Sequence, residues 1–287
     1  MQVEVYMRHR SSILAVVENV AEFVTTGNKR FTDRSVVIFS SVTGSTKEMV
    51  EAVAYAKSMG ARVLGFVDKA DAPIVQMCDW CISYPANEQL KFYMTANRCM
   101  YNRGEFPEYE RYNAEMEAHL AKGLAEVEKS SDEWAYNYAK EQFEFFVAHP
   151  DLPHYFVGSG TQYGATYSYA MCYWEEQMWI RTKSISCPEF FHGMQEILVW
   201  DTPVTLFMNE DEQRPLAERV ARFLPKVNSN YTIIDSKEFP MEGISPEFRG
   251  SISHLVLHGV NNRVDAYMEL FLRHPLSIRR YYRQFDY

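Results

Sequence analysis

Ser35-Val36-Val37-Ile38-Phe39 runs into Ser40-Ser41-Val42-Thr43-Gly44-Ser45-Thr46-Lys47-Glu48, and the helical pattern Met49-Val50-Glu51-Ala52-Val53-Ala54-Tyr55-Ala56 follows at once. The apolar, β-branched run predicts a strand, and the spacing after Lys47 predicts a helix. A strand that turns through Ser, Thr and Gly into a helix gathers hydroxyls and unpaired backbone N–H groups at one point. The positive end of the helix dipole lies there too, which suits a phosphate. The same residues also fit an ordinary Ser/Thr helix cap.

The surrounding chain sets limits. Its 287 residues suffice for one large domain or two ordinary ones, and 47% are hydrophobic, enough for a substantial core. A net charge of -9 argues against a nucleic-acid partner, although a cluster such as Arg279-Arg280 fits a small anion. Five cysteines in a chain of this length make no disulfide framework. Cys78-Asp79-Trp80-Cys81 has C-x-x-C spacing but no second ligand pair, and Cys99, Cys172 and Cys187 are scattered singly. All five read as reduced, structural thiols. The start lacks the apolar core of a secretory signal, and no stretch approaches the ~20 apolar residues of a membrane span. A soluble, cytoplasmic protein without a membrane partner is expected.

Working outward, short apolar runs alternate with helical segments. Strands are expected at Ile13–Val17, Ser35–Phe39, Val63–Val67 and Trp80–Tyr84, with a helix from Lys47 to Met59 ended by Gly60. Helices follow at Glu88–Asn102, Tyr109–Lys129 and Trp134–Ala148. After Pro150 the rhythm resumes: strands at His154–Val157, Lys183–Ser186, Val204–Met208, Tyr231–Ile234 and His254–Leu257, helices at Tyr163–Ile180 and Arg214–Leu224. This alternation predicts an α/β fold with parallel sheets. The similar rhythm suggests a duplication, with subdomains at residues 1–148 and 149–287. The second half opens on a strand and a Gly158-Ser159-Gly160 loop that the first half lacks. Its counterpart to the Ser/Thr turn, Met208-Asn209-Glu210-Asp211-Glu212, is acidic and would repel a phosphate.

A second constellation lies in that half. Glu176 sits among aromatics in Trp174-Glu175-Glu176-Gln177-Met178-Trp179, and His192 follows 16 residues later in Cys187-Pro188-Glu189-Phe190-Phe191-His192-Gly193. A Glu shielded by aromatics suits proton shuttling, and a His on a turn suits proton transfer to a sugar oxygen. A surface carboxylate and a structural histidine are the plain alternatives.

Together these features resemble the sugar isomerase (SIS) domain family. The family's phosphate loop, S-x-[ST]-G-x-[ST], matches Ser41-Val42-Thr43-Gly44-Ser45-Thr46, and its E-[LF]-x-H-G turn matches Glu189-Phe190-Phe191-His192-Gly193. The resemblance implies two flavodoxin-like subdomains that bind phosphosugars, the first here without the family's opening strand. The tail His274-Pro275-Leu276-Ser277-Ile278-Arg279-Arg280-Tyr281-Tyr282, ending at Tyr287, resembles that of fructoselysine 6-phosphate deglycases, as does Ala21-Glu22-Phe23. No cysteine-led amidotransferase domain is seen, which disfavours a glutamine-dependent synthase.

The resemblance implies the following chemistry. Ser41, Thr43, Gly44, Ser45 and Thr46 hold the substrate phosphate. His192 assists ring opening, and Glu176 moves a proton from C1 and helps return one to C2. A fructosamine 6-phosphate thereby becomes glucose 6-phosphate and a free amine, with no metal or redox cofactor. The site lies between subunits of a homodimer or larger homo-oligomer, and Arg279, Arg280, Tyr281 and Tyr282 close the pocket or merely pack the tail. An aldose–ketose isomerase, an amino-sugar phosphate deaminase and a non-catalytic phosphosugar sensor are the alternatives.

Overall fold

Two parallel sheets organise the chain. A computed structural model describes residues 1–282 with Gln284 and Phe285; Tyr287, the residue closing the predicted tail motif, lies outside them. The first sheet holds strands β1 (Val36–Ser41), β2 (Arg62–Val67) and β3 (Trp80–Ile82) in that order. The second has β4 (His154–Gly158), β5 (Thr182–Ser186), β6 (Val204–Met208) and β7 (Tyr231–Asp235), in the order β5-β4-β6-β7. Every ladder is parallel. That is the arrangement expected where helices alternate with strands.

Packing divides the chain into two compact units, residues 10–106 and residues 1–9 with 107–287. The unit of residues 10–106 buries Phe39, Val53, Ala56, Val63, Val67 and Ile74 between the first sheet and its helices. The Lys47–Ser58 helix ends as expected: Gly60, at φ +82°, donates to Lys57 O. Ala21-Glu22-Phe23 lies in the Val20–Thr26 helix, whose N-cap Asn19 accepts from Ala21 N and Glu22 N. There Phe23 meets Phe31 and Tyr55 edge-on.

Ile13–Val17 joins neither sheet, contrary to the strand predicted there. Leu14 is 78% exposed and Val16 50%. β-Branched residues favour a pleated, half-buried surface, and here none of them pairs in a ladder.

In the larger unit, Val157, Phe190, Leu206, Val220 and Leu224 form the core beside the second sheet. The Tyr109–Glu115 and Ala121–Ser130 helices, joined by a π turn at Met116–Leu120, pack in this unit with the Asp132–Ala148 helix. The predicted boundary at residue 148 follows the order of the sheets, whereas packing groups these helices with the second one. The strand expected at His254–Leu257 is the middle of a helix, Pro246–Leu272. A short apolar run does not distinguish a core strand from a helix buried on most sides. This helix, started by Ser245-Pro246, buries Ser253, His254, Val256, Leu257 and Val260 together.

A polar network lies under the second sheet. Thr205 Oγ1 is 2.6 Å from Tyr138 Oη and 2.8 Å from His154 Nε2, and Tyr169 Oη donates to Asp265 Oδ1 at 2.8 Å. Burial pushes the Asp265 carboxyl up to about 8 and the His154 ring down to about 3. Folded Asp265 therefore holds its proton where the unfolded chain releases it. Its contribution to stability is full below about pH 4 and is lost as pH rises through about 8. His154 acts oppositely, losing its contribution as pH falls from about 6.5 towards 3. Asp265→Asn is expected to flatten the decline of Tm between pH 5 and pH 8. Equal slopes in melts of both proteins would contradict this.

Candidate active site

The Ser/Thr turn lies in the unit of residues 10–106. β1 delivers Ser41, and the chain crosses Val42–Ser45 to Thr46, the N-cap of the Lys47–Ser58 helix. Thr46 makes no side-chain capping bond. The predicted helix-cap alternative is thus absent at this residue, and the first-turn donors remain uncapped by it. Ser41 Oγ instead accepts from Gly44 N at 3.0 Å and folds the turn back on itself. Gly44 is buried at φ +59°, and a Cβ there would lie 2.5 Å from Ala72 Cβ and 2.8 Å from Val67 Cγ1. Only glycine fits both the dihedral and the space. Ser45 and Thr46 face solvent, and Ser41 and Thr43 are half-buried.

The acidic turn after β6 takes a different form. Asp211 Oδ2 accepts from Thr161 N at 2.7 Å and Thr161 Oγ1 at 2.9 Å, while Oδ1 accepts from Gln213 N. It satisfies first-turn donors of the Gly160–Ser168 helix with a carboxylate of the chain itself. Glu210 receives two bonds from Arg249, at 2.6 and 2.8 Å. Its carboxylates are thus held in internal bonds, a use that composition alone did not show.

Glu176 lies in the larger unit. The helix expected over Tyr163–Ile180 begins at Gly160, is α-helical to Ser168 and widens to a π-helix over Tyr169–Glu175. Such widening inserts an extra residue per turn and re-aims side chains, often at functional sites. Glu176 N accordingly bonds Met171 O, and the chain then reverses through Trp179, a non-glycine residue at φ +61°. The shielding expected for Glu176 is not found: its side chain is 40% exposed and faces a cation. Arg279 Nε donates to Glu176 Oε1 at 2.6 Å, and Arg279 Nη1 also holds Leu276 O.

A cavity of about 920 Å³ opens beside this pair. Glu176 and all four predicted tail residues, Arg279, Arg280, Tyr281 and Tyr282, line it, together with Trp179. Trp179 is layered between the His274 ring, 4.4 Å away and tilted 12°, and the Arg280 guanidinium, 4.1 Å from its centroid. His274 donates through Nε2 to Gln177 O at 2.9 Å, tying the tail to the end of the π-helix. Sequence reading picked out the tail but missed Trp179 and the pairing of Arg279 with Glu176. The His274/Trp179/Arg280 layering has no sequence signature, since the residues lie almost a hundred positions apart.

His192 sits on the turn after the short Cys187–Phe190 helix, with its backbone N bonded to Glu189 O. Its side chain is exposed and makes no hydrogen bond or ion pair with Glu176 among the described residues. Among the described residues, no group of three or more His, Cys, Asp or Glu could hold a metal ion, and no helix is long and apolar enough to cross a membrane.

The SIS domain family matches residues 1–99. Along its length the chain is similar to fructosamine deglycase FrlB of Bacillus subtilis (strain 168), with 26% identity over 294 residues, 99% of this chain and 87% of that protein. Fructoselysine 6-phosphate deglycase of Escherichia coli (strain K12) is 23% identical over 266 residues, 91% of this chain and 75% of that one. The crystal structure of a candidate phosphosugar isomerase from Bacillus subtilis matches with a TM-score of 0.91 at 25% identity, covering 100% of this chain and 88% of the other. These likenesses agree with the parallel α/β architecture and with the sugar isomerase resemblance of the motifs.

Proposed function

We propose that this chain, which carries a SIS domain and resembles fructosamine deglycases, is a phosphosugar enzyme that converts a fructosamine 6-phosphate to glucose 6-phosphate and a free amine. The observation that carries this reading is the junction of β1 and the Lys47–Ser58 helix, where a Ser/Thr/Gly turn leaves first-turn donors uncapped by Thr46. Ser41, Thr43, Gly44, Ser45 and Thr46 grip the 6-phosphate there. Binding energy from that remote group positions the C1–C2 bond for reaction.

Glu176 removes a proton from C1 of the ketosamine, giving an enaminol, and helps deliver a proton to C2. The product is the C1 imine of glucose 6-phosphate, which water hydrolyses to the aldehyde and the amine. His192 moves the proton at the ring oxygen on ring opening. In this reading His192, exposed in the single chain, serves the partner subunit's site of a homodimer. The pairing of Arg279 with Glu176 supports a tail that closes over the reacting carbon. A cytoplasmic location fits a phosphorylated sugar substrate.

Turnover in deuterated water tests the chemistry. The proton on Glu176 is expected to exchange with solvent before it returns to C2, giving glucose 6-phosphate with deuterium there. Product without it, formed at an unchanged rate from substrate doubly deuterated at C1, would contradict proton removal from C1. For the tail, Arg280→Ala is expected to raise KM severalfold by freeing Trp179 from its cation, with the fold unchanged. Unaltered steady-state constants would contradict closure.

A further inference from the structure

Three residues gather over one glycine in the first sheet. The β1–β2 ladder pairs Phe39 with Gly65, and the β2–β3 ladder pairs Gly65 with Cys81. Residues in register across parallel strands share a face, so Phe39 and Cys81 flank the place where a Gly65 side chain would stand. That place is taken: a Cβ on Gly65 would fall 2.9 Å from Cys78 Sγ and 2.9 Å from Phe39 Cζ. The thiol of Cys78 therefore lies over Gly65 on the same face as Cys81. Both cysteines are half-buried and pack on the same apolar cluster.

This thiol pair abuts the wall of the Ser/Thr turn. Cys78 Sγ donates to Ile74 O at 3.3 Å, holding the last turn of the Pro73–Met77 3₁₀ helix. Ile74 and Ala72 in turn form the surface on which Gly44 sits, with Ile74 Cγ2 only 3.0 Å from where a Gly44 Cβ would be. Cys78 and Gly44 are thus linked through Ile74 by two contacts.

We propose that Cys78 and Cys81 are a redox-responsive dithiol, closed to a disulfide by low-molecular-weight disulfides, and that closure loosens the 41–46 turn. The first part stands on the thiol geometry alone; its effect on function rests on the phosphate-binding reading of that turn. The Cys81 thiolate attacks a sulfur of the small disulfide, whose S–S bond breaks and whose first half leaves as a thiolate. Cys78, giving up its proton, then attacks Cys81 Sγ and displaces the second half. Two protein thiols and one small disulfide become one protein disulfide and two small thiols. Two electrons pass to the small molecule, and the two S–H protons end on the departing thiolates. Burial pushes the Cys78 thiol up to about 11, so its attack needs the proton removed first, and the step is helped only by being intramolecular. A bridge requires Sγ atoms about 2.05 Å apart, so Cys78 must abandon Ile74 O.

The test treats the full chain with oxidised glutathione, blocks remaining thiols by alkylation and maps the peptides by mass. A peptide with Cys78 joined to Cys81 is expected, together with a glutathione adduct trapped at Cys81 in Cys78→Ser. Exposed Cys99 serves as the internal measure of reagent access. Adducts on Cys99 without the 78–81 bridge would overturn the dithiol. Hydrogen exchange at residues 41–46 in ligand-free protein should quicken on oxidation and recover with dithiothreitol. Unchanged exchange in the bridged protein would overturn the coupling, whether or not the turn binds phosphate. Where glucose 6-phosphate binds the reduced protein, oxidation should weaken it roughly tenfold. An unaltered affinity would also overturn the coupling, whereas failure of the reduced protein to bind would count against the phosphate reading alone.

Discussion

Glu176→Gln is expected to remove deglycation while phosphosugar binding persists. The amide keeps nearly the shape of the carboxylate but cannot take a proton from carbon. A positioned general base typically contributes about 10²–10⁴-fold, and a loss of kcat in that range is expected. The fold should survive. The pair with Arg279 involves a carboxylate 40% exposed, and pairs of this kind contribute roughly 0–1 kcal/mol. Glucose 6-phosphate affinity should change little, because the phosphate donors belong to the 41–46 turn. A near-normal kcat would remove Glu176 from the chemistry. Loss of binding and turnover together would make it a structural or substrate-holding residue instead.

Gly44→Ala should have the second large effect, on both stability and affinity. Two costs meet at this position. A side chain at φ +59° is unfavourable, by roughly 1 kcal/mol for an L-residue. The new methyl would also lie 2.5 Å from Ala72 Cβ and 2.8 Å from Val67 Cγ1, in a wall that is already packed. Overpacking of this kind costs about 1–3 kcal/mol. The turn can relieve the clash only by lifting away from Ala72 and Ile74, which displaces the hydroxyls of Ser41 and Thr43. A fall in Tm together with at least tenfold weaker glucose 6-phosphate binding is expected, read by thermal melts and titration calorimetry. Retained Tm and affinity would mean that the turn tolerates the change and does not need this geometry.

Much of this site could be read from local pattern. The β1 strand, the helix from Lys47 and the glycine that ends it each announce themselves from their own neighbours in sequence, because hydrophobic period and capping are local properties. What escaped depends on neighbours remote in sequence. Ile13–Val17 has strand chemistry, but pairing is what makes a strand, and none occurs there. His254–Leu257 has the same apolar appearance, yet the helix around it is buried along most of its circumference. The acidic turn after β6 reads as a repulsive surface until Thr161 and Arg249, 50 and 39 residues away, are seen to hold its carboxylates. Arg279 meets Glu176 across 103 residues, and no periodicity encodes that pairing. The exposure of Glu176 likewise follows from the π-helix end and the tail rather than from its aromatic neighbours in sequence.

The measurement that bears most directly on this account is release of glucose 6-phosphate from a panel of fructosamine 6-phosphates, fructoselysine 6-phosphate among them, by the native chain and by Glu176→Gln. The account predicts release by the native protein, dependent on the 6-phosphate and lost in the variant. Saturable phosphosugar binding without release from any member of the panel would contradict it and leave a sensor of phosphosugars in its place.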